Sequence, residues 1–497
     1  MTAVRSQPAP ESVDRRSGVA ARLARALPAG SVIVDRESLK PYECDGLSAY
    51  RETPLVAAIP QDEAEVAAVL EAARETATPV VARGSGTGLS GGALPLADGI
   101  LLSLARFNRI VEVDPLARKA RVEPGVTNLR ISQHVAPLGL YYAPDPSSQI
   151  ACSIGGNVAE NSGGVHCLKY GLTVHNVLAV RAITIEGDAI ALGSEALDAP
   201  GYDLLALVTG SEGLLAITLE VTVKLLPKPE AAQVVMASFP DVESAGEAVA
   251  AVIGAGIVPA GLEMMDRMAT RAVEDFVHAG YDLEAEAILL AESDGTREEV
   301  AHETARMIEV MRAAGATDIR CSASDAERMR FWSGRKAAFP AVGRISPDYY
   351  CIDGSIPRGA LAGVLKRIEE LSAACGLRCA NVFHAGDGNL HPLILYDANV
   401  PGELEKTERF AADILELCIA VGGTITGEHG VGIEKVNQMC VQFRPEELAQ
   451  FRAIKAAFDP AGLLNPGKGV PTLARCAEYG AMRVRGGALP HPDLPRF

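Results

Sequence analysis

Three glycine-rich segments fall between Gly84 and Gly213, and glycines clustered in loops of one region bring bare backbone close to a neighbour. The first is Arg83-Gly84-Ser85-Gly86-Thr87-Gly88-Leu89-Ser90-Gly91-Gly92, directly after the β-prone run 80–82. Without Cβ atoms, successive N–H groups can approach an anion, and a diphosphate is the natural guest. Residues 86–91 read literally as G-x-G-x-x-G, yet Gly92, Pro95 and Gly99 stand where a Rossmann helix must begin, so the strand-loop-helix context fails. No Gly-Lys-Ser/Thr follows, which excludes a P-loop; taken alone, the segment also fits a structural turn. The second segment is Ser153-Ile154-Gly155-Gly156-Asn157 with Asn161-Ser162-Gly163-Gly164, and the third, Gly210-Ser211-Glu212-Gly213, leads into a strand at Leu214. Three such loops in one domain demand a large ligand.

The rest of the chain supplies the frame. Short β-rich runs at 79–82, 100–104, 119–122, 178–185 and 214–225, separated by helical or glycine-rich segments, predict an α+β domain over 52–226, preceded by a helical segment over 1–51. Leu226-Pro227-Lys228-Pro229-Glu230 is a stiff connector and sets the boundary. Over 231–425, strands at 233–238, 287–292 and 349–352 alternate with helices at 242–255 and 297–314, the pattern of a cap or substrate domain with helices on a sheet. A C-terminal segment, 426–497, holds a helix at 445–458, then proline and glycine punctuation, and about fifteen loosely ordered final residues.

Composition narrows the function. The 497 residues are 48% hydrophobic and 22% charged, a globular balance with room for several cores. A net charge of −17 repels a phosphate backbone and argues against nucleic acid as a partner. The early apolar stretch 18–27 is broken by Arg22 and Arg25, so no secretory signal precedes the ten cysteines, and reduced thiols in a cytoplasmic protein are expected. Cys375 and Cys379 are separated by three residues rather than two, which favours packed thiols over a redox or zinc motif. No apolar run approaches the roughly 20 residues of a membrane span. Any membrane contact is expected through a partner.

The second informative region is Asn381-Val382-Phe383-His384-Ala385-Gly386-Asp387-Gly388-Asn389-Leu390-His391, a strand, a turn and a strand. With the loop at 386–389, Ala385 pairs with Leu390 and His384 with His391, placing both imidazoles on one face with Cβ atoms about 5 Å apart. That spacing can chelate one ion. Glu428, in Gly427-Glu428-His429-Gly430-Val431-Gly432, supplies a third ligand, and two His with one Glu suit Zn²⁺, Mn²⁺ or Fe²⁺ with positions left for substrate oxygens. The plainer alternative is two histidines that merely pack beside turn glycines.

The combination of glycine segments resembles the FAD-binding domain of the vanillyl-alcohol oxidase/p-cresol methylhydroxylase type over about residues 52–226. The resemblance implies a two-part FAD domain, a ferredoxin-like α+β cap and a C-terminal helical segment. It puts Gly84, Ser85, Gly86, Thr87 and Gly88 on the FAD diphosphate, with Pro144, Asp145, Ser153, Gly155, Gly156, Asn161, Gly164, Glu212, Gly213 and Ile217 lining the rest. Some relatives attach the flavin through a histidine in the first loop; none stands beside Thr87, so the FAD is expected to be noncovalent. His166 and His175 are expected to be hydrogen-bonded structural residues.

His-x-x-Asp-Gly-Asn-x-His together with Gly-Glu-His-Gly-x-Gly, on a chain with those flavin loops, resembles the D-2-hydroxyacid dehydrogenase branch. The likeness then covers nearly the whole chain, including Phe331-Trp332-Ser333-Gly334-Arg335-Lys336 and Leu464-Asn465-Pro466-Gly467-Lys468, with Asn465 counted among the cofactor residues. Members oxidise glycolate, D-lactate or D-2-hydroxyglutarate. The resemblance implies a divalent metal on His384, His391 and Glu428, His429 as general base and Arg335 as the carboxylate-binding group. Members that take 2-hydroxyglutarate place a Lys and an Asn where Cys351 and Leu393 stand here, so a small monocarboxylate such as glycolate or D-lactate is expected, with D-2-hydroxyglutarate as the alternative.

That chemistry suits the residues. A metal lowers the pKa of a bound hydroxyl, an imidazole near neutrality accepts its proton, and an arginine fork matches a carboxylate. Lys336 and Arg344 are further cations near Arg335, Arg344 being one that can reach a second carboxylate, and Trp332 is expected to be a packing anchor. No cysteine cluster has iron–sulfur spacing, so electrons must leave to a separate acceptor: an iron–sulfur subunit, a second FAD-domain subunit, a quinone-linked partner or a soluble carrier. A metal hydrolase whose loops bind a nucleotide substrate, and a noncatalytic scaffold, are the competing readings.

Overall fold

The parallel strands of the first sheet are continuous apolar runs, as strands covered on both faces must be. In the computed structural model, which describes residues 10–196 and 201–472, this sheet has the order Val32–Ile33, Val56–Ala58, Ile100–Ser103, Val80–Arg83. The last three strands run parallel, and Val32–Ile33 joins antiparallel at the edge. The N-terminal segment predicted as helical therefore contributes a strand as well as the helix Pro10–Ala26. The two-residue strand is too short to carry a period, so only its pairing reveals it. Helix Glu63–Glu75, capped by the Asp62 carboxylate on Glu65 N (2.9 Å), buries Val66, Val69 and Leu70 against the sheet.

A second, antiparallel sheet follows, ordered Ile110–Asp114, Lys119–Val122, Ile217–Lys224, Val177–Ile183, Ala189–Gly193. The first glycine-rich segment lies between two strands of the first sheet, and the second and third lie between strands of the second. The third sheet has seven antiparallel strands in the order Asp318–Cys321, Ala231–Phe239, Ala287–Gly295, Gly261–Asp266, Cys379–Phe383, Pro392–Tyr396, Asp348–Cys351. Its alternation is strict. Val235, Ala237, Leu289 and Ala291 pack under helices Val242–Gly254, Arg297–Ala313, Leu361–Cys375 and Glu403–Ala420. Val234, Met236, Ile288 and Leu290 pack under Arg267–Val277, Asp325–Lys336 and Ala338–Val342.

The chain finally returns to where it began. After helix Pro445–Phe458, Val80 N donates to Leu463 O (2.8 Å) and Asn465 N to Val80 O (2.8 Å), so residue 464 extends the first sheet beside the strand that launches the first glycine loop. The expectation of a loosely ordered tail lies outside the described residues.

Candidate active site

The three glycine loops converge on one cavity of about 370 Å³. Gly84 passes so close to the second loop that a Cβ on it would lie 2.3 Å from Ser153 Oγ, and Gly86, at φ +68°, would drive a Cβ into the Arg83 guanidinium. Ser153 caps helix Ile154–Glu160 by accepting from Gly156 N (3.3 Å). Gly84, Ser85, Gly86, Thr87, Gly88, Ser153, Gly155, Gly156, Glu212, Gly213 and Ile217 all reach the cavity wall. A Cβ would also collide at Gly155, and bare backbone lining a shared hollow is what a diphosphate-bearing cofactor needs.

Five residues expected on that wall are not there; they hold the loops from behind. The Pro144 carbonyl accepts from Asn128 Nδ2 (3.0 Å), and the Asp145 carboxylate faces His166 Nδ1 (2.7 Å). Asn161 ends a helix in the left-handed region with its Oδ1 on Val174 N (2.9 Å), and Gly164 lies against the Asp145 backbone. Asn465 Nδ2 donates to Gly92 O (3.0 Å) and Glu212 O (2.7 Å), tying the first loop to the third. His166 also faces Glu292 Oε1 (3.4 Å), while His175 Nδ1 accepts from Leu172 N, so both histidines are hydrogen-bonded outside the cavity. Trp332 is buried with its indole N–H on Glu292, an anchor as expected.

The histidine turn corrects the expected register. Cys379 pairs with Ile394, Asn381 with Pro392 and, in an isolated bridge, His384 with Asn389. His384 thus faces Asn389 rather than His391, and the turn occupies 385–388 with Gly388 at φ +82° and its N–H on His384 O (3.2 Å). The shift is two residues, the period of a strand, so both imidazoles stay on one face. Their rings stand 5.1 Å apart, edge to face.

Glu428 is the hub of this cluster. Its Oε1 lies 2.9 Å from His391 Nε2, 3.4 Å from His384 Nε2 and 3.6 Å from His429 Nε2. Each metal-type histidine is fixed from behind: His384 Nδ1 faces Glu263 Oε1 (2.7 Å) and His391 Nδ1 faces the Ile352 carbonyl (3.4 Å). With Nδ1 occupied, both Nε2 atoms converge on the carboxylate, and the three ligand atoms lie within 4.8 Å of one another. Two imidazole nitrogens and one carboxylate oxygen fit a divalent cation.

Burial opposes the charge of Glu428, but the imidazoles, His384 first, outweigh it and hold the carboxyl well below its ordinary range. His429 stacks on His391 at 4.9 Å, and its Nδ1 is buried without a hydrogen bond. Burial works against an imidazolium here, yet the Asp353 and Glu428 carboxylates raise the His429 pKa above the ordinary value.

Asp353, missed in the sequence, organises the loop that carries Glu428 and His429. Its carboxylate accepts from Glu428 N (3.1 Å), His429 N (2.9 Å), Thr426 Oγ1 (2.6 Å), Asn389 Nδ2 (2.8 Å) and Lys435 Nζ (3.0 Å), and the Asp353 and Lys435 side chains are themselves fully buried. Burial alone would raise its pKa; Lys435, with His429 and His391, holds it below the ordinary range. Glu263 and Lys435 were missed too, and Glu263 did leave a signal as the lone charge in the apolar run Gly261-Leu262-Glu263-Met264-Met265. Glu212 bridges the two halves: its carboxylate accepts from Val431 N and Gly432 N, both at 2.7 Å.

Arg335 is buried with Nε on Glu263 Oε2 (2.8 Å) and Nη2 unpartnered. Lys336 reaches the cavity wall. Arg344 does not: it is exposed, stacked over Phe276 with Nη1 on Asp275 O (3.3 Å), because the short helix Ala338–Val342 carries the chain away from the site. Cys351 and Leu393 are cross-strand partners, both buried.

His391, Glu428 and His429 line the same cavity as the glycine loops. A flavin-type cradle sharing one space with a histidine–carboxylate cluster defines a flavoprotein oxidoreductase. The comparisons specify which. Residues 54–193 match the family described as "FAD binding domain" and residues 228–469 the family "FAD linked oxidases, C-terminal domain". Glycolate oxidase subunit GlcD of Escherichia coli is 61% identical over 98% of this chain and 97% of its own, and GlcD of Bacillus subtilis is 37% identical over 86% and 91%. A D-lactate dehydrogenase of Archaeoglobus fulgidus is 33% identical over 83% and 91%. Among solved structures, p-cresol methylhydroxylase superposes with a TM-score of 0.78 at 17% identity over 94% of this chain and 98% of its own, a likeness of fold. The chain belongs to the FAD-linked oxidases, in the branch that contains the glycolate oxidase subunits and D-lactate dehydrogenases. FAD is its cofactor.

Proposed function

We propose that the protein oxidises a small D-2-hydroxy acid, glycolate or D-lactate, to the 2-oxo acid. The observation that carries this reading is the single cavity lined by the glycine loops on one side and by His391, Glu428 and His429 on the other. Bound FAD supplies the acceptor for the hydride leaving the α-carbon, and a divalent metal on His384, His391 and Glu428 supplies a Lewis acid for the substrate oxygens. His429 takes the hydroxyl proton as general base. Arg335, whose Nη2 has no partner, donates to the substrate carboxylate. Cys351 and Leu393 offer no partner for a second carboxylate, which favours a monocarboxylate.

The FAD is held noncovalently, since the first loop carries no histidine. Electrons pass to partner subunits, a reading supported by the relatives named as subunits of glycolate oxidase. We place the protein in the cytoplasm, with any membrane contact made through those partners; among the described residues no helix is long and apolar enough to cross a membrane. The test is His384→Ala in the FAD-loaded protein: metal and turnover of glycolate and D-lactate should be lost while the flavin spectrum persists. Stoichiometric metal with wild-type turnover would overturn the ligand assignment.

A further inference from the structure

We infer that Glu263 is a positioning residue that sets the metal affinity of the site, an inference that rests on the metal reading above. Glu263 sits at the middle of strand Gly261–Asp266, 1% exposed, and each of its oxygens is committed to a different partner. Oε1 takes His384 Nδ1 at 2.7 Å; Oε2 takes Arg335 Nε at 2.8 Å. His384 arrives from the turn after Cys379–Phe383, and Arg335 from the last turn of helix Asp325–Lys336. One buried carboxylate therefore joins a ligand and the substrate arginine, which come from elements otherwise separate in the chain.

The chemistry follows from the two bonds. A carboxylate on Nδ1 fixes the tautomer of His384 with Nε2 free of its proton, aims that lone pair at Glu428, and raises the basicity of the ring. Arg335 Nε on the second oxygen gives this buried carboxylate a counter-charge at 2.8 Å. His391 has only a backbone carbonyl at 3.4 Å behind its ring, so the two ligands are held unequally and His384 is the one set by charge. A glutamine at 263 keeps the shape but loses the anion, and outer partners of this kind are typically worth about 10- to 100-fold in metal affinity.

The FAD-loaded protein, depleted of metal and titrated with Zn²⁺ against a competing chelator, reads the effect. Glu263→Gln should weaken Zn²⁺ binding about 10- to 100-fold with unchanged flavin content, and Glu263→Asp should recover part of the loss. Removing one charge leaves Arg335 buried beside an amide, so Glu263→Gln combined with Arg335→Met provides a variant without the stranded cation, and it should show the same weakening. Equal Zn²⁺ affinity in wild type and in whichever of these variants retains FAD overturns the inference alone. If Zn²⁺ binding is indifferent to His384→Ala, the metal reading itself fails and the inference falls with it.

Discussion

Replacing Asp353 by asparagine should open the loop that carries Glu428 and His429. The side chain keeps its volume, but one oxygen becomes an NH₂ facing donors. Oδ1 serves Glu428 N and Asn389 Nδ2, while Oδ2 serves Thr426 Oγ1, His429 N and Lys435 Nζ. Losing Oδ2 takes an acceptor from Thr426 Oγ1, His429 N and Lys435 Nζ; losing Oδ1 takes one from Asn389 Nδ2 and leaves Glu428 N only its 3.4 Å contact with Oδ2; in either case Lys435, itself fully buried, loses its closest counter-charge. Removing one partner of a buried ion pair costs about 3–5 kcal/mol, to which unsatisfied buried donors add about 1–3 kcal/mol each. Relaxation and water entry reduce that total, so the ion-pair figure is the working value. At about 1.4 kcal/mol per tenfold, it corresponds to opening more frequent by about a hundred- to several-thousand-fold. Amide hydrogen exchange at residues 426–432, followed by mass spectrometry, measures it directly. Asp353→Asn combined with Lys435→Met should recover part of the protection. Exchange in Asp353→Asn within threefold of wild type would refute the claim that this carboxylate holds the loop.

Three further outcomes are expected. Acid precipitation should release the yellow flavin into the supernatant; colour in the pellet would show a covalent bond. His429→Gln should keep FAD and metal but slow flavin reduction at saturating substrate by about 10² to 10⁴, measured by stopped flow, and an unslowed half-reaction would remove its role as base. The ratio of kcat/KM for glycolate or D-lactate over D-2-hydroxyglutarate, with one dye acceptor, should be about 10² or more, because a distal carboxylate desolvated against Cys351 and Leu393 has no partner and Arg344 is turned to the surface. A preference for the dicarboxylate would contradict this.

Local chemistry was legible in the sequence and long-range pairing was not. The glycine loops declared themselves because backbone approach requires glycine whatever the surroundings. The histidine pair survived a wrong register because an error of two residues leaves the face of a strand unchanged; an error of one would have turned His391 away. Glu263 and Asp353 were missed because what makes them matter, His384 and Arg335 for one, Lys435 and two backbone amides for the other, lies far along the chain. Arg344 was misjudged for the converse reason: near Arg335 in sequence, it is carried away by an intervening helix. Pro144, Asp145, Asn161, Gly164 and Asn465 belong to the flavin region, but the sequence could not tell a wall from its support.

The strand-like return of residues 463–465 to Val80 has a bearing on how the protein is made. The first glycine loop hangs from that strand, and Asn465 and Lys468 both hold Gly92 O from the far end of the chain. During synthesis, the region up to Leu226 emerges long before these clamps exist. The roughly 240 residues that intervene take about 10 to 50 s at ribosomal speed. For that interval the cradle is unfinished, so tight cofactor uptake comes near the end of translation. Ribosome-bound chains halted before residue 460 should remain colourless in the presence of FAD, and chains halted with the whole clamp exposed should turn yellow.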